Sequence, residues 1–133
     1  MADKFFLDLV TPERTLFSGA VRELVAPGVL GEFGVLPGHA NMLAELTAGR
    51  LIYRDDAGEK RMAAAGGFAE VTGEKVTVLL EDAAYAGDLD RTSLNRDIEQ
   101  LEAKDLKPDD EGYADWQEQL RWKKACFEIA EQK

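Results

Sequence analysis

The sequence predicts an α+β chain, an N-terminal antiparallel β-sandwich or barrel followed by a C-terminal antiparallel two-helix hairpin. Three observations carry this. Between Lys4 and Glu81, short runs of strand-forming residues are interrupted by Gly, Pro and Asp turn signals at intervals of roughly 8–12 residues, the spacing of a sandwich or barrel. Beyond Asp82 β-branched residues nearly vanish, and Ala, Glu, Gln, Lys and Leu take over, which is the composition of helix. Finally, two apolar stripes at helical spacing, Leu94/Ile98/Leu101 and Tyr113/Trp116/Leu120/Phe127, flank the breaker Lys107-Pro108-Asp109-Asp110. The boundary falls between a sandwich of residues 1–86 and a helical unit of residues 87–133.

The elements follow in order. Lys4 to Val10 alternates, and Phe5, Leu7 and Leu9 form the better candidate core face, with Phe6, Asp8 and Val10 opposite. Thr11-Pro12-Glu13-Arg14 breaks the strand, Thr15 to Ser18 resumes it, and Gly19 permits a bend. In the third piece, Val21 to Ala26, the alternation sets Val21, Glu23 and Val25 against Arg22 and Leu24, and Pro27-Gly28 closes it. Next comes Gly31-Glu32-Phe33-Gly34-Val35-Leu36-Pro37-Gly38-His39-Ala40-Asn41-Met42-Leu43, with three glycines, one proline and the only histidine. That mix predicts a shaped surface loop, with turns flanking Glu32-Phe33 and a second turn at Pro37-Gly38. Strands at Met42–Leu46, Arg50–Arg54, Glu59–Ala65, Phe68–Val71 and Lys75–Leu80 are joined by turns, the clearest being Asp55-Asp56-Ala57-Gly58.

In the helical unit, Gly87-Asp88-Leu89-Asp90 reads as linker, with Asp90 the N-cap of a helix starting at Arg91. Lys107-Pro108-Asp109-Asp110 ends it and caps a second helix over about 111–131, roughly 30 Å long at 1.5 Å per residue. A lysine at 123 or 124 fills part of its seam. One narrow stripe per helix makes the hairpin marginal alone, so it is expected to lean on the sandwich or on a partner.

Bulk properties exclude several functions. The 133 residues have room for one ordinary domain, or for one small domain with an appendage, and 45% hydrophobic with 32% charged residues is a globular composition. Sixteen Lys and Arg against 26 Asp and Glu leave a net charge of −10, which argues against general nucleic-acid binding. No apolar run is long enough to span a bilayer, and the first residues resemble neither a secretory signal nor a transit peptide. A single cysteine, Cys126, excludes an internal disulfide and a multi-thiolate metal site, and no carboxylate loop pattern for Mg²⁺ or Ca²⁺ is present. No phosphate-binding Gly-x-x-x-x-Gly-Lys-Ser/Thr occurs, and one His with two serines offers no ready catalytic triad. No catalytic or metal-binding residues are therefore assigned.

The central stretch GEFGVLPGHANML resembles the signature loop of the epsilon subunit of bacterial F-type ATP synthases. The resemblance extends to FLDLVTPER at 6–14, LFSG at 16–19, VAPG at 25–28, GGFAEV at 66–71 and VTVL at 76–79. It implies a non-catalytic rotor subunit on the central stalk, at the cytoplasmic face of the bacterial inner membrane, peripheral and without membrane insertion. The sandwich would bind the gamma subunit and the c ring, and the helices would restrain ATP hydrolysis when extended into the alpha and beta catalytic subunits. By that resemblance Glu32, Phe33, Pro37 and His39 form the contact loop to the c ring and gamma. The cluster Arg121, Lys123 and Lys124 is the choice for pairing with acidic groups on the catalytic subunits, although its position after the acidic start of the last helix also suits the helix dipole. Some relatives bind ATP at Ile/Leu-Asp-x-x-Arg-Ala. Here the matching positions read Leu89-Asp90-Arg91-Thr92-Ser93-Leu94, which keeps the aspartate and loses the arginine, so weak ATP binding or none is expected, with Asp90, Arg91 and Arg96 as the residues available. The rival reading is a free-standing β-sandwich that binds a small ligand beneath a helical lid.

Overall fold

The computed structural model describes residues 3–131. Strand β1 (Phe5–Val10) turns through Thr11–Arg14, whose end residues exchange backbone hydrogen bonds of 2.9 and 3.3 Å, into β2 (Thr15–Val21). After β3 (Glu23–Gly28), β4 (Gly31–Val35), β5 (Met42–Leu46), β6 (Gly49–Asp55), β7 (Gly58–Ala64), β8 (Gly67–Thr72), β9 (Lys75–Leu80) and β10 (Ala83–Tyr85), a 3₁₀ turn at Ala86–Asp88 leads to α1 (Arg91–Lys104) and α2 (Tyr113–Glu131). The strands run β10-β7-β6-β3-β5-β8-β9-β1-β2, with β4 branching from β3. This sheet curls into a sandwich whose far ends meet where the Phe17 ring of β2 lies 4.5 Å from that of Tyr53 on β6. The β1–β9 pair is parallel, which is possible because the seven strands between them supply the long connection that parallel neighbours need.

Alternation sets the core. Phe5, Leu7 and Leu9 point inward as expected and meet Val76 and Val78 of β9, Val21 of β2, and Leu24, Leu51 and Met62 in one sealed cluster. The phase of the third piece differs from the expected one. Val21 and Leu24 are both buried because the chain bends at Arg22, whereas Gly19 stays in the ladder opposite Leu7, where a side chain would crowd the Phe17 ring. The predicted loop at 31–43 is also corrected in part. Its first five residues are strand β4, held in register by Leu24↔Val35 and Ala26↔Phe33, and the tight turn lies at Val29-Leu30, where Gly31 takes φ +132°. Only residues 36–41 form a loop. Ala83–Tyr85, inside the expected sandwich boundary but past the last expected strand, adds a strand to β7, and the Tyr85 hydroxyl meets that of Tyr53 at 3.1 Å.

Helix α1 begins as predicted, with Asp90 Oδ1 accepting from the Thr92 N–H at 3.1 Å, and buries Leu94, Ile98 and Leu101. It stops at Asp105, in the left-handed conformation at φ 45°, before the predicted break at Lys107-Pro108. Helix α2 starts after Gly112, two residues later than expected. Its predicted stripe is half of the story. The Trp116 indole N–H donates to the Leu101 carbonyl at 2.6 Å and hooks α2 to α1, while a second stripe, Trp122, Cys126, Ile129 and Ala130, packs on Ala63 of β7. The hairpin therefore lies docked on the sandwich through α2.

At Gly67 a side chain would collide with the Leu79 carbonyl at a φ of +143°, whereas Gly73 has φ +62° and open space around it. Urea unfolding should show Gly73→Ala costing about 1–2 kcal/mol, the left-handed penalty alone, and Gly67→Ala costing more. Equal costs would mean that the β8–β9 register is looser than described.

Candidate interaction surfaces

The four predicted loop residues have separate local tasks. Glu32, on β4, receives a two-pronged contact from Arg50 of β6, Nε to Oε2 at 2.8 Å and Nη2 to Oε1 at 3.0 Å. That hydrogen-bonded guanidinium holds the Glu32 carboxyl below the usual carboxylate range. Phe33 is half-buried against the sandwich core. Pro37 shapes the turn that the His39 N–H closes on the Leu36 carbonyl at 3.1 Å, with Gly38 at φ +84°. The His39 Nδ1 lies 2.7 Å from the Ala40 carbonyl, and since a carbonyl only accepts, Nδ1 carries the proton. Asn41 then accepts from the Gly73 N–H at 2.9 Å, tying this loop to the β8–β9 turn.

What sequence reading missed lies around and beside them. Val29, Leu30, Leu36 and Leu43 are exposed at this end, Leu30 completely, and a groove of about 620 Å³ runs between Leu30, Phe33, Met42 and Leu43. On the outer face of β5, β8, β9 and β1, register sets Phe68 beside Leu79, and Leu79 beside Val10. Phe68 and Leu79 are half exposed, and with Val10 and Pro12 they wall a second groove of about 350 Å³. Positions facing water on an antiparallel strand ordinarily carry polar side chains. A strip of large apolar ones marks a surface suited to covering by another protein.

The helical candidates are engaged within the chain. Asp90 caps α1, the Arg91 guanidinium lies 4.9 Å over the Phe127 ring, and Arg96 stands on the exposed side of α1. The basic cluster divides. Lys123 pairs with Asp97 at 3.0 Å and Lys124 with Glu102 at 3.3 Å, both on α1, while Arg121 borders a groove of about 260 Å³ along the seam with the sandwich, together with Glu45, Glu81 and Glu118.

Cys126 is 3% exposed in the same seam, and burial pushes its thiol up to about 11. It should react with a thiol reagent at pH 8 at least tenfold more slowly than in the urea-unfolded chain. Ile129→Ala, which opens a hole over Ala63, should raise the native rate at least tenfold. A wild-type rate near the unfolded one would contradict the docked arrangement.

Comparison with known proteins identifies the family. The family model described as ATP synthase, Delta/Epsilon chain, beta-sandwich domain matches residues 4–86. The chain is 47% identical over 98 residues to the ATP synthase epsilon chain of Maricaulis maris, covering 74% of each protein. It is 44% identical over 117 residues to that of Geotalea uraniireducens, covering 85% of this chain and 83% of the relative. In fold it is similar to a chain in the cryo-EM structure of the Euglena gracilis mitochondrial ATP synthase, OSCP/F1/c-ring in rotational state 1. That likeness has a TM-score of 0.81 at 24% identity, over 99% of this chain and 82% of that one. A chain of the Tetrahymena thermophila mitochondrial ATP synthase central stalk and c ring gives a TM-score of 0.56 at 12% identity, over 96% and 93%. By its sandwich and by its relatives along most of its length, the chain belongs to the ATP synthase delta/epsilon chain family.

Proposed function

We propose that the chain is a rotor subunit without catalytic groups of its own, in which residues 1–86 link the gamma subunit to the c ring and residues 87–133 restrain ATP hydrolysis. Membership in a subunit family favours this reading over a free-standing ligand module. The exposed apolar strip of Phe68, Leu79 and Val10 carries the reading, because it is the kind of face that a permanent neighbour covers. We assign that strip to gamma and the end of the sandwich bearing Glu32, Phe33, Pro37 and His39 to the c ring. This sets the chain at the cytoplasmic face of a bacterial inner membrane, as a peripheral part of the complex.

The hairpin acts by population shift between docked and extended states. When docked, Lys123 and Lys124 are satisfied by Asp97 and Glu102. On extension, Arg121, Lys123 and Lys124 exchange these for acidic groups on the catalytic subunits. The exchange is inexpensive because exposed ion pairs contribute only about 0–1 kcal/mol each. ATP has little purchase here, since Asp90 is occupied as a cap and Arg91 lies over Phe127.

Charging the apolar strip tests the assignment. Phe68→Lys combined with Leu79→Glu, an opposite-charge pair across the β8–β9 ladder, should weaken binding to an alpha-beta-gamma core about 30-fold or more, the scale of a lost hot spot, while leaving the thermal melt close to wild type. Undiminished binding by a folded double variant would place gamma on another face.

A further inference from the structure

Arg50 of β6 stands between Glu32 of the contact residues and the docked α2. Its fork is closed on Glu32 of β4, 18 positions away in the chain. On its other side, β6–β7 register sets Arg50 opposite Ala63, the residue sealed beneath Cys126 and Ile129 of α2. Glu128, the neighbour of Ile129, is exposed on α2 and adds to the negative field at Arg50, as does Glu59 of β7. Glu59 is already held by Arg61 at 2.8 Å. No direct ion pair closes on Glu128 among the described residues, and Arg50, about two-fifths exposed, has room to turn.

We propose that Arg50 is a shared cation through which occupancy of the end loop sets the docking of the hairpin: a partner group that takes over Glu32 frees Arg50 for Glu128 and strengthens the docked state. The proposal rests on the reading of that loop as a partner contact, and it narrows the partner's chemistry to a cation or a donor able to satisfy a carboxylate. With Nε and Nη2 held by Glu32, the guanidinium closes no ion pair on Glu128, so reaching Glu128 requires the side chain to swing away from Glu32, and the two carboxylates compete for it. By linkage the effect is reciprocal, and a docked α2 that draws Arg50 toward Glu128 loosens Glu32 for its partner.

The full-length chain alone provides the test, with Cys126 as built-in reporter because the docked α2 buries its thiol. The rate of reaction with Ellman's reagent is measured at one pH for wild type, Glu32→Gln, Glu128→Gln and the double variant, with thermal melts confirming that each is folded. Glu32→Gln should slow the reaction about two- to fivefold, the range of an exposed ion pair, and Glu128→Gln alone should change it less than about twofold, because no ion pair on Glu128 is closed while Arg50 holds Glu32. In the double variant the slowing should disappear. An unchanged or faster rate for Glu32→Gln, or the same slowing with Glu128 absent, overturns the proposal. Should Glu128→Gln fail to fold, the cycle is closed with Arg50→Gln, in whose background Glu32→Gln should have no effect and a persisting effect refutes the mechanism. Because no other subunit is present, the result is independent of whether the sandwich binds gamma and the c ring.

Discussion

The seam between α2 and the outer face of β7 governs how the rest of the molecule behaves. Ile129, Cys126 and Ala130 close over Ala63, with Trp122 at the edge. Full burial of one branched aliphatic side chain is worth about 1.5–3 kcal/mol, Cys126 and Ala130 are small, and Trp122 is only partly covered. Such a seam holds the hairpin in one place without welding it there. By contrast, the sandwich cluster of Leu7, Leu9, Leu24, Leu51 and Met62 lies wholly inside the curled sheet and contains no residue of either helix. The chain thus has one core that the hairpin does not share and a second, smaller one that exists only while α2 is docked.

Much of this was readable from residue order. The alternation of Phe5, Leu7 and Leu9, the 3.6-residue stripe of Leu94, Ile98 and Leu101, and Asp90 as a cap each depend on local periodicity or local hydrogen bonding, which a sequence displays directly. The second stripe of α2 was harder to read, because its large members Trp122 and Ile129 are separated by the small Cys126 and the line of Trp116, Leu120 and Phe127 stands out beside it. Gly31–Val35 resembled loop because its glycines suit turns. Pairing with β3 overrode that preference, and only Gly31 uses the freedom.

The surface features show the same division. Phe68 shares its face with Glu70 and Thr72, and Leu79 with Lys75 and Thr77, so alternation turns both outward, but only the β8–β9 register sets the two large apolar side chains next to each other. Arg50 and Glu32 are joined only by tertiary register, through two strands that both flank β3. Interaction surfaces in this chain therefore arise from how the curled sheet brings distant strands together, while the elements themselves arise from local pattern. That is also why the basic cluster reads differently in sequence and in three dimensions: one helix turn sends Arg121 to the sandwich seam and Lys123 and Lys124 toward α1.

The central claim is a sandwich that anchors and a hairpin that acts. Its most direct measurement is ATP hydrolysis by the matching alpha-beta-gamma core, with saturating full-length chain or with a chain ending at Asp88. The full-length chain should bind and lower the rate, and the shortened chain should bind equally well and leave the rate unchanged. Binding by both with the same rate would contradict a restraining role for the hairpin and leave the chain as a coupling element alone.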